Sequence, residues 1–393
     1  MRRLRLWLVM VLGFAAVPCT PSREPGPLRI WLIVSPEQEK VMQAVVEKFA
    51  SRHSIPTRLE AKSPEQIESW LASGQKGEPR PDLVDVDISR LPDLAATVQD
   101  LEPLMKKWNP PSLLYAAWAP GTFSDRLFFL PWHLSWSAMI CNGSVLPQPP
   151  RTWNELLAVA GEHPGGVALR GLRPESLAKD LAPLIGQAGG DPYDFTDPGT
   201  IKAFEFLGRL GPLLNLSTRT FTEESILAAQ SQGKVILHFN NLKMAQVLAH
   251  QKLLPFPNYT AILPKGPQRV AGRLEGNYLG IPRTAPHPRD AYLFLQFLLE
   301  PKIQTRLFDD LGWLSPLADT KNLLDEFDQE RYQGFLEMAT AVNALPPAKH
   351  LPEVQELWAR AFAEVVYQGA PAQEVLARLA PEMKRLLGVR AKL

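Results

Sequence analysis

GKVILHFNN (residues 233–241), ILPKGP (262–267), LEGNYLGIPRTAPHPRDAYLFLQFLLEP (274–301) and LGWLSP (311–316) decide how this chain is read. The run VILHF suits a buried strand, and it ends in two amide side chains, Asn240 and Asn241. A later strand carries Gly276 and passes through a proline-punctuated turn into an apolar helix. A strand end furnished with amides, a glycine-bearing strand and a tryptophan loop together read as one side of a ligand clamp. None of these pieces has the form of a catalytic centre.

Upstream, LRIWLIV (28–34) is a short apolar run suited to a buried parallel strand. The segment 37–53 follows as a helix, with Val41, Val45, Val46 and Phe49 spaced for one apolar face. Ser35 fits its N-cap and Pro36 its first position. A strand at 57–61, a helix at 64–73 and a strand at 82–87 complete a strand–helix alternation typical of a doubly wound sheet. Ligands of such sheets sit beyond the carboxyl ends of the strands. This rule directs attention to Ser35 and Glu37 after the first strand, and to Asp87 and Arg90 after the third.

A second α/β set begins after FFLPWHLSWSAMICN (128–142). Thr152 is placed to cap the helix that follows, with Glu155 closing a capping box. Helices at 174–187, 198–210 and 222–232 lead to a strand at 235–239. The chain of 393 residues exceeds what one core usually supports, so two lobes are expected. Thirty-eight prolines, roughly twice the usual share, punctuate many short connections.

The 42 Lys+Arg balance 41 Asp+Glu, which argues against a polyanion-binding surface and against nucleic acid as a partner. Arg2, Arg3 and Arg5 precede an apolar run at 6–16, the pattern of a secretory signal too short to span a bilayer. Cys19 directly follows that run and is a candidate lipidation site, although Pro18 stands where a small residue is wanted. Ordinary cleavage near Ala15 and Ala16 is the alternative. Cys141 reads as a small buried hydrophobe, and a Cys19–Cys141 bridge is not expected.

The order and wording of these pieces resemble family 1 extracellular solute-binding proteins, the sugar receptors of ABC importers. Their pattern runs GKAAM…NGPW, PLPG, GGxxLAI, a helix, then a glycine–aromatic/basic–proline loop. PPRTWNELLAVA (149–160) resembles their PPxTWDEL helix start, and residues 128–142 resemble their first lobe-crossing segment. The resemblance covers nearly all of the chain after the leader. It implies a class II periplasmic-binding-protein fold: two α/β lobes joined by hinge crossovers, with an interlobe ligand cleft. The implied division is a leader at 1–19, a first lobe at 28–133 with 280–315, and a second at 136–276 with 319–393. It further implies a small carbohydrate ligand, permease subunits in the membrane as partners, periplasmic or cell-surface location, a monomer, and neither cofactor nor metal.

Sugar recognition uses flat aromatic faces against pyranose C–H faces, and carboxylates or amides that bond pairs of hydroxyls. Candidates follow from the crossings. Trp132 and Trp136 share a strand face and serve either stacking or packing between lobes. Asp87 is either a ligand contact or a helix cap. Asn240 and Asn241 match the NG of NGPW, whereas Lys243 stands where that pattern has its tryptophan. Lys243 and Arg90 therefore leave open an anionic glycoside or another osmolyte as ligand. Glu275, Gly276, Asn277 and Tyr278 cover the second crossing. Trp313 occupies the loop where the family places a ligand-facing residue, and Trp358 is either a contact or helical core. HExxH, paired CxxC, GxSxG, P-loop and GxGxxG motifs are absent from the sequence. A secreted carbohydrate hydrolase is accordingly the weakest reading.

Overall fold

The computed structural model describes residues 26–388 apart from 77–78, 107, 109, 251–256, 347 and 349. The leader and Cys19 lie outside the described residues. The first lobe opens with β1 (Leu28–Leu32), α1 (Pro36–His53), β2 (Thr57–Ala61), α2 (Pro64–Ala72) and β3 (Leu83–Asp87). β1 pairs in parallel with both β2 and β3, as the alternation predicts. Both helices start on a serine followed by proline. Ser35 and Ser63 each close a capping box with a glutamine three residues on, which satisfies two orphan N–H groups per helix. Met42, Val45, Val46 and Phe49 face inward from α1.

β4 (Leu130–Ser135) then leads into β5 (Ala138–Asn142), α3 (Trp153–Glu162), β6 (Val167–Ala168), α4 (Pro174–Gln187), α5 (Pro198–Leu210), α6 (Glu223–Ser231), β7 (Leu237–Asn240), α7 (Leu242–His250) and β8 (Asn258–Ala261). The long β9 (Gly272–Gly280) follows, then α8 (Pro288–Leu298), α9 (Pro301–Leu311), α10 (Glu326–Arg331), α11 (Gln333–Met338), β10 (Val342–Ala344), α12 (Leu351–Phe362) and α13 (Ala372–Leu387). One sheet runs β10-β9-β3-β1-β2 with β4 also on β9, and a second runs β8-β5-β7-β6. Thr152 caps α3, but Glu155 accepts from the Arg151 N–H, so the expected box is not closed on Thr152.

Two bodies of apolar side chains fill the layers. The first sheet carries Ile30, Leu32, Leu83 and Leu279 on one side, packed with Phe294 and Leu295 of α8, and Trp31, Val84, Val86 and Tyr278 on the other. The second sheet buries Ile140, Leu237, Phe239, Leu181, Phe204 and Trp358. Leu114 and Ala117, within the stretch assigned above to the first lobe, pack with this second core. Cys141 is a free thiol in it, and burial pushes its pKa up to about 12.

The two halves meet at three adjacent crossings. β9 pairs with β10 through Gly272–Leu274, with β4 through Glu275–Leu279, and with β3 through Asn277–Gly280. On the other edge of β4, Leu134 and Leu314 exchange backbone hydrogen bonds at 2.8 and 2.9 Å. Gly276 sits here at φ +150°, where an added Cβ would come within 2.5 Å of the His133 carbonyl oxygen. Glycine is required at this position by both the dihedral and the close approach.

Candidate functional site

β9 is the strand that joins the two walls. Arg273, Glu275 and Asn277 alternate along its partly exposed face, while Leu274, Gly276 and Tyr278 are buried between them. Asn277 stands opposite Asp87 at the carboxyl end of β3. Its side chain also hydrogen-bonds to Asp85. The Asp85 carboxylate accepts from the Ile33 N–H at 3.0 Å and the Trp132 indole at 3.0 Å. Burial pushes its pKa up to about 7 despite those donors.

Two residues back along β9, Glu275 reaches the second lobe. Its carboxylate lies 3.5 Å from Lys179 Nζ on α4 and 3.4 Å from Arg273 Nε. Lys179 Nζ is also 3.4 Å from Glu223 at the start of α6. Beneath them Arg170, just past β6, is fully buried and paired with Asp180 of α4; it donates to Ser137 Oγ at 3.1 Å. Asn240, at the end of β7, donates to the Glu223 carbonyl oxygen at 3.1 Å. Burial opposes charge on Glu223 and Glu275, but the surrounding cations (Arg170 and Lys179 for Glu223; Lys179, Arg273 and Arg170 for Glu275) outweigh it and hold both carboxyls below their usual range. A polar seam thus runs Asp87, Asn277, Glu275, Lys179, Glu223 from one lobe to the other.

The structure gathers Asp87, Glu275, Gly276 and Asn277 of the sequence candidates on or beside this seam, with Asn240 behind it. Asp87 also serves as a cap, its Oδ1 accepting from the Ser89 N–H and hydroxyl at 2.8 and 2.5 Å. The aromatic candidates lie elsewhere. Trp132 is 1% exposed and Trp313 is 8% exposed, in the first core, where their rings meet edge to face at 5.0 Å. His133 stacks on Trp313 at 4.1 Å. Trp136 is buried in the second core and donates to the Phe335 carbonyl oxygen. Tyr278 is buried with its hydroxyl donating to the Ala117 carbonyl oxygen. Trp358 is likewise buried, its indole donating to the Pro192 carbonyl oxygen. None of these rings offers a stacking face to the seam, because each is packed in a core.

The remaining candidates have local partners. Ser35 caps α1 and donates to Glu37, both on the exposed first turn. Arg90 is tied to Glu68 at 3.0 Å and Asp93 at 2.8 Å. Asn241 accepts from the Met244 N–H as the cap of α7. Lys243 Nζ donates at 3.2 Å to the Asp310 carbonyl oxygen, at the negative end of α9. Lys179, Glu223, Arg170 and Asp180 escaped the sequence reading. Two hints existed: Arg170 interrupts the apolar GVALRGL, and Asp180 falls among Leu177, Ala178 and Leu181 on a helix face.

Solved structures with this fold cover nearly the whole chain. Maltose-bound MalE3 of T. maritima superposes with a TM-score of 0.75 at 19% identity, covering 92% of this chain and 100% of that one. The sugar-binding protein MalE of Xanthomonas citri gives 0.78 at 16%, covering 92% and 97%. UgpB of Mycobacterium tuberculosis, in complex with glycerophosphocholine, gives 0.71 at 17%, covering 92% and 98%. At such identities the likeness is one of fold. Among curated protein sequences none matches the chain. The sequence itself matches the bacterial extracellular solute-binding protein family over residues 44–330, and the chain belongs to that family.

Proposed function

We propose that this chain is the exported binding component of an ABC importer, closing two lobes around a small neutral carbohydrate. The seam from Asp87 to Glu223 carries this reading, because it strings carboxylates, an amide and an ammonium across both lobes. Such groups bond adjacent hydroxyls in pairs. The cations of the seam are already engaged: Lys179 by two carboxylates and Arg273 by one. Arg90 and Lys243, on which an anionic ligand would have depended, are held by Glu68, Asp93 and the Asp310 carbonyl. A neutral polyol exchanges hydrogen bonds with such a network without displacing an ion pair.

We take the lobes to be residues 28–133 with 280–315 and 136–276 with 319–393. Ligand contacts from both favour the closed form over the open one. The fold's occurrence with maltose and with glycerophosphocholine supports a small polar ligand. Residues 1–19 are taken as the export leader, with either Cys19 lipidated and retained once the segment before it is removed or ordinary cleavage near Ala15 and Ala16, the mature chain as a monomer, and permease subunits as its membrane partners.

Native mass spectrometry of protein purified without refolding tests this reading, followed by tryptophan fluorescence titration with a panel of neutral sugars, glycosides and polyols. The expected result is a saturable change with at least one neutral compound, weakened in Lys179→Met. If every compound leaves the spectrum unchanged, the carbohydrate reading fails.

A further inference from the structure

A cavity of about 470 Å³ lies on the opposite edge of the hinge from β9. Its floor is made by Trp136, just past β4 on the first crossing, and Leu314 on the third. It shares no lining residue with the seam. One wall is the turn Thr320–Leu323, which rests on α9, Thr305 Oγ1 donating to the Leu323 carbonyl oxygen at 3.4 Å. The facing wall is α10 and α11, which are fixed to the second sheet. There Thr260 Oγ1 donates to the Arg331 carbonyl oxygen at 2.9 Å and accepts from the Gly334 N–H at 3.2 Å. An added Cβ on Gly334 would meet the Ala261 backbone at 2.4 Å, so this wall lies directly against its sheet.

The lining has the chemistry of a built pocket. Leu114, Leu314 and Leu336 offer apolar surface, while Gln329, Gln333 and Thr340 add acceptor oxygens, their donors being engaged by the Leu324 carbonyl, the Glu337 carboxylate and the Glu337 carbonyl. Two carboxylates, Glu330 and Glu337, face one cation, Lys321, which disfavours an anion. The volume falls within the range typical of small-molecule sites. We propose that this cavity is a second small-molecule site, taking a neutral hydroxylated ring of monosaccharide size. Its apolar lining, Trp136, Leu314, Leu114 and Leu336, packs with the second core, so the site is carried by the second lobe.

The test uses the whole mature chain with myo-inositol as the neutral probe and D-glucuronate as the anionic one, read by saturation-transfer NMR. Thr340 is exposed, so Thr340→Trp fills the mouth from outside the core; the pair Gln329→Ala with Gln333→Ala removes the amides without filling it. The proposal expects a myo-inositol signal that is lost in both variants, retained in Lys179→Met, and several-fold weaker for D-glucuronate. A signal that survives both pocket variants, or disappears in Lys179→Met, places the probe elsewhere and overturns the site. Absence of any signal also overturns it. Failure of the pocket leaves the cleft reading standing, since Lys179→Met and Thr340→Trp alter different sites.

Discussion

The two lobes bring unlike surfaces to the cleft. At the first, the strand ends are occupied by their own backbone: Ser35 caps a helix, Asp87 accepts from Ser89, and Asp85 is buried under the Ile33 N–H and the Trp132 indole. At the second, charge is layered, with Arg170 and Asp180 buried as a support and Lys179, Glu223 and Glu275 partly exposed above them. The difference teaches that one wall is preset by hydrogen bonds within the chain, whereas the other is held by ion pairs among partly exposed side chains, the groups proposed above to meet the ligand.

The largest effect expected from this contrast is on the buried support. Arg170→Met leaves Asp180 without its partner and should cost about 3–5 kcal/mol in urea unfolding. A loss of about 1 kcal/mol or less, the value of a surface pair, would show that Arg170 supports nothing. Adding Asp180→Leu should recover much of the loss.

Acid should act on the two walls in opposite senses. Burial raises Asp85 to about 7, so the stability it contributes is complete below the ordinary carboxylate range and is lost as pH rises through about 7. Glu223 and Glu275 are depressed, so their contribution is present above the ordinary carboxylate range and lost as pH falls through their folded values. Between pH 5 and 7 the Asp85 contribution changes by at most about 1.4 kcal/mol per pH unit. Thermal melts of Asp85→Asn should lack that slope, and a variant with the slope intact would remove Asp85 as its source.

Gly276→Ala strains the joint between the walls, through both its φ of +150° and the 2.5 Å approach to the His133 carbonyl. The expected cost is about 1–3 kcal/mol, read as a lowered Tm. The smallest effect belongs to the first wall: Arg90→Ala should change stability by about 1 kcal/mol or less and leave ligand affinity unaltered. A marked loss of affinity there would erase the contrast between the lobes.

The same contrast governs what could be read from sequence. The first lobe's opening elements were legible because Ser35–Pro36 announces a helix start and LRIWLIV before it is a short apolar run. The place of Glu275 and Asn277 on the joining strand was legible because the glycine-bearing strand marks a crossing. The burial of Trp132, Trp313 and Tyr278 was not, since strand alternation tells which residues share a face but not what covers it. Lys179, Glu223 and Arg170 come from three segments that only packing brings together, and no spacing along the chain connects them.

Small-angle scattering during titration with the best neutral sugar of the panel tests the central claim most directly. Closure of two hinged lobes predicts a smaller radius of gyration at saturation, with the transition moved to higher sugar concentration in Lys179→Met. A sugar that binds tightly while the scattering curve stays unchanged, or one whose affinity ignores Lys179, would contradict the account.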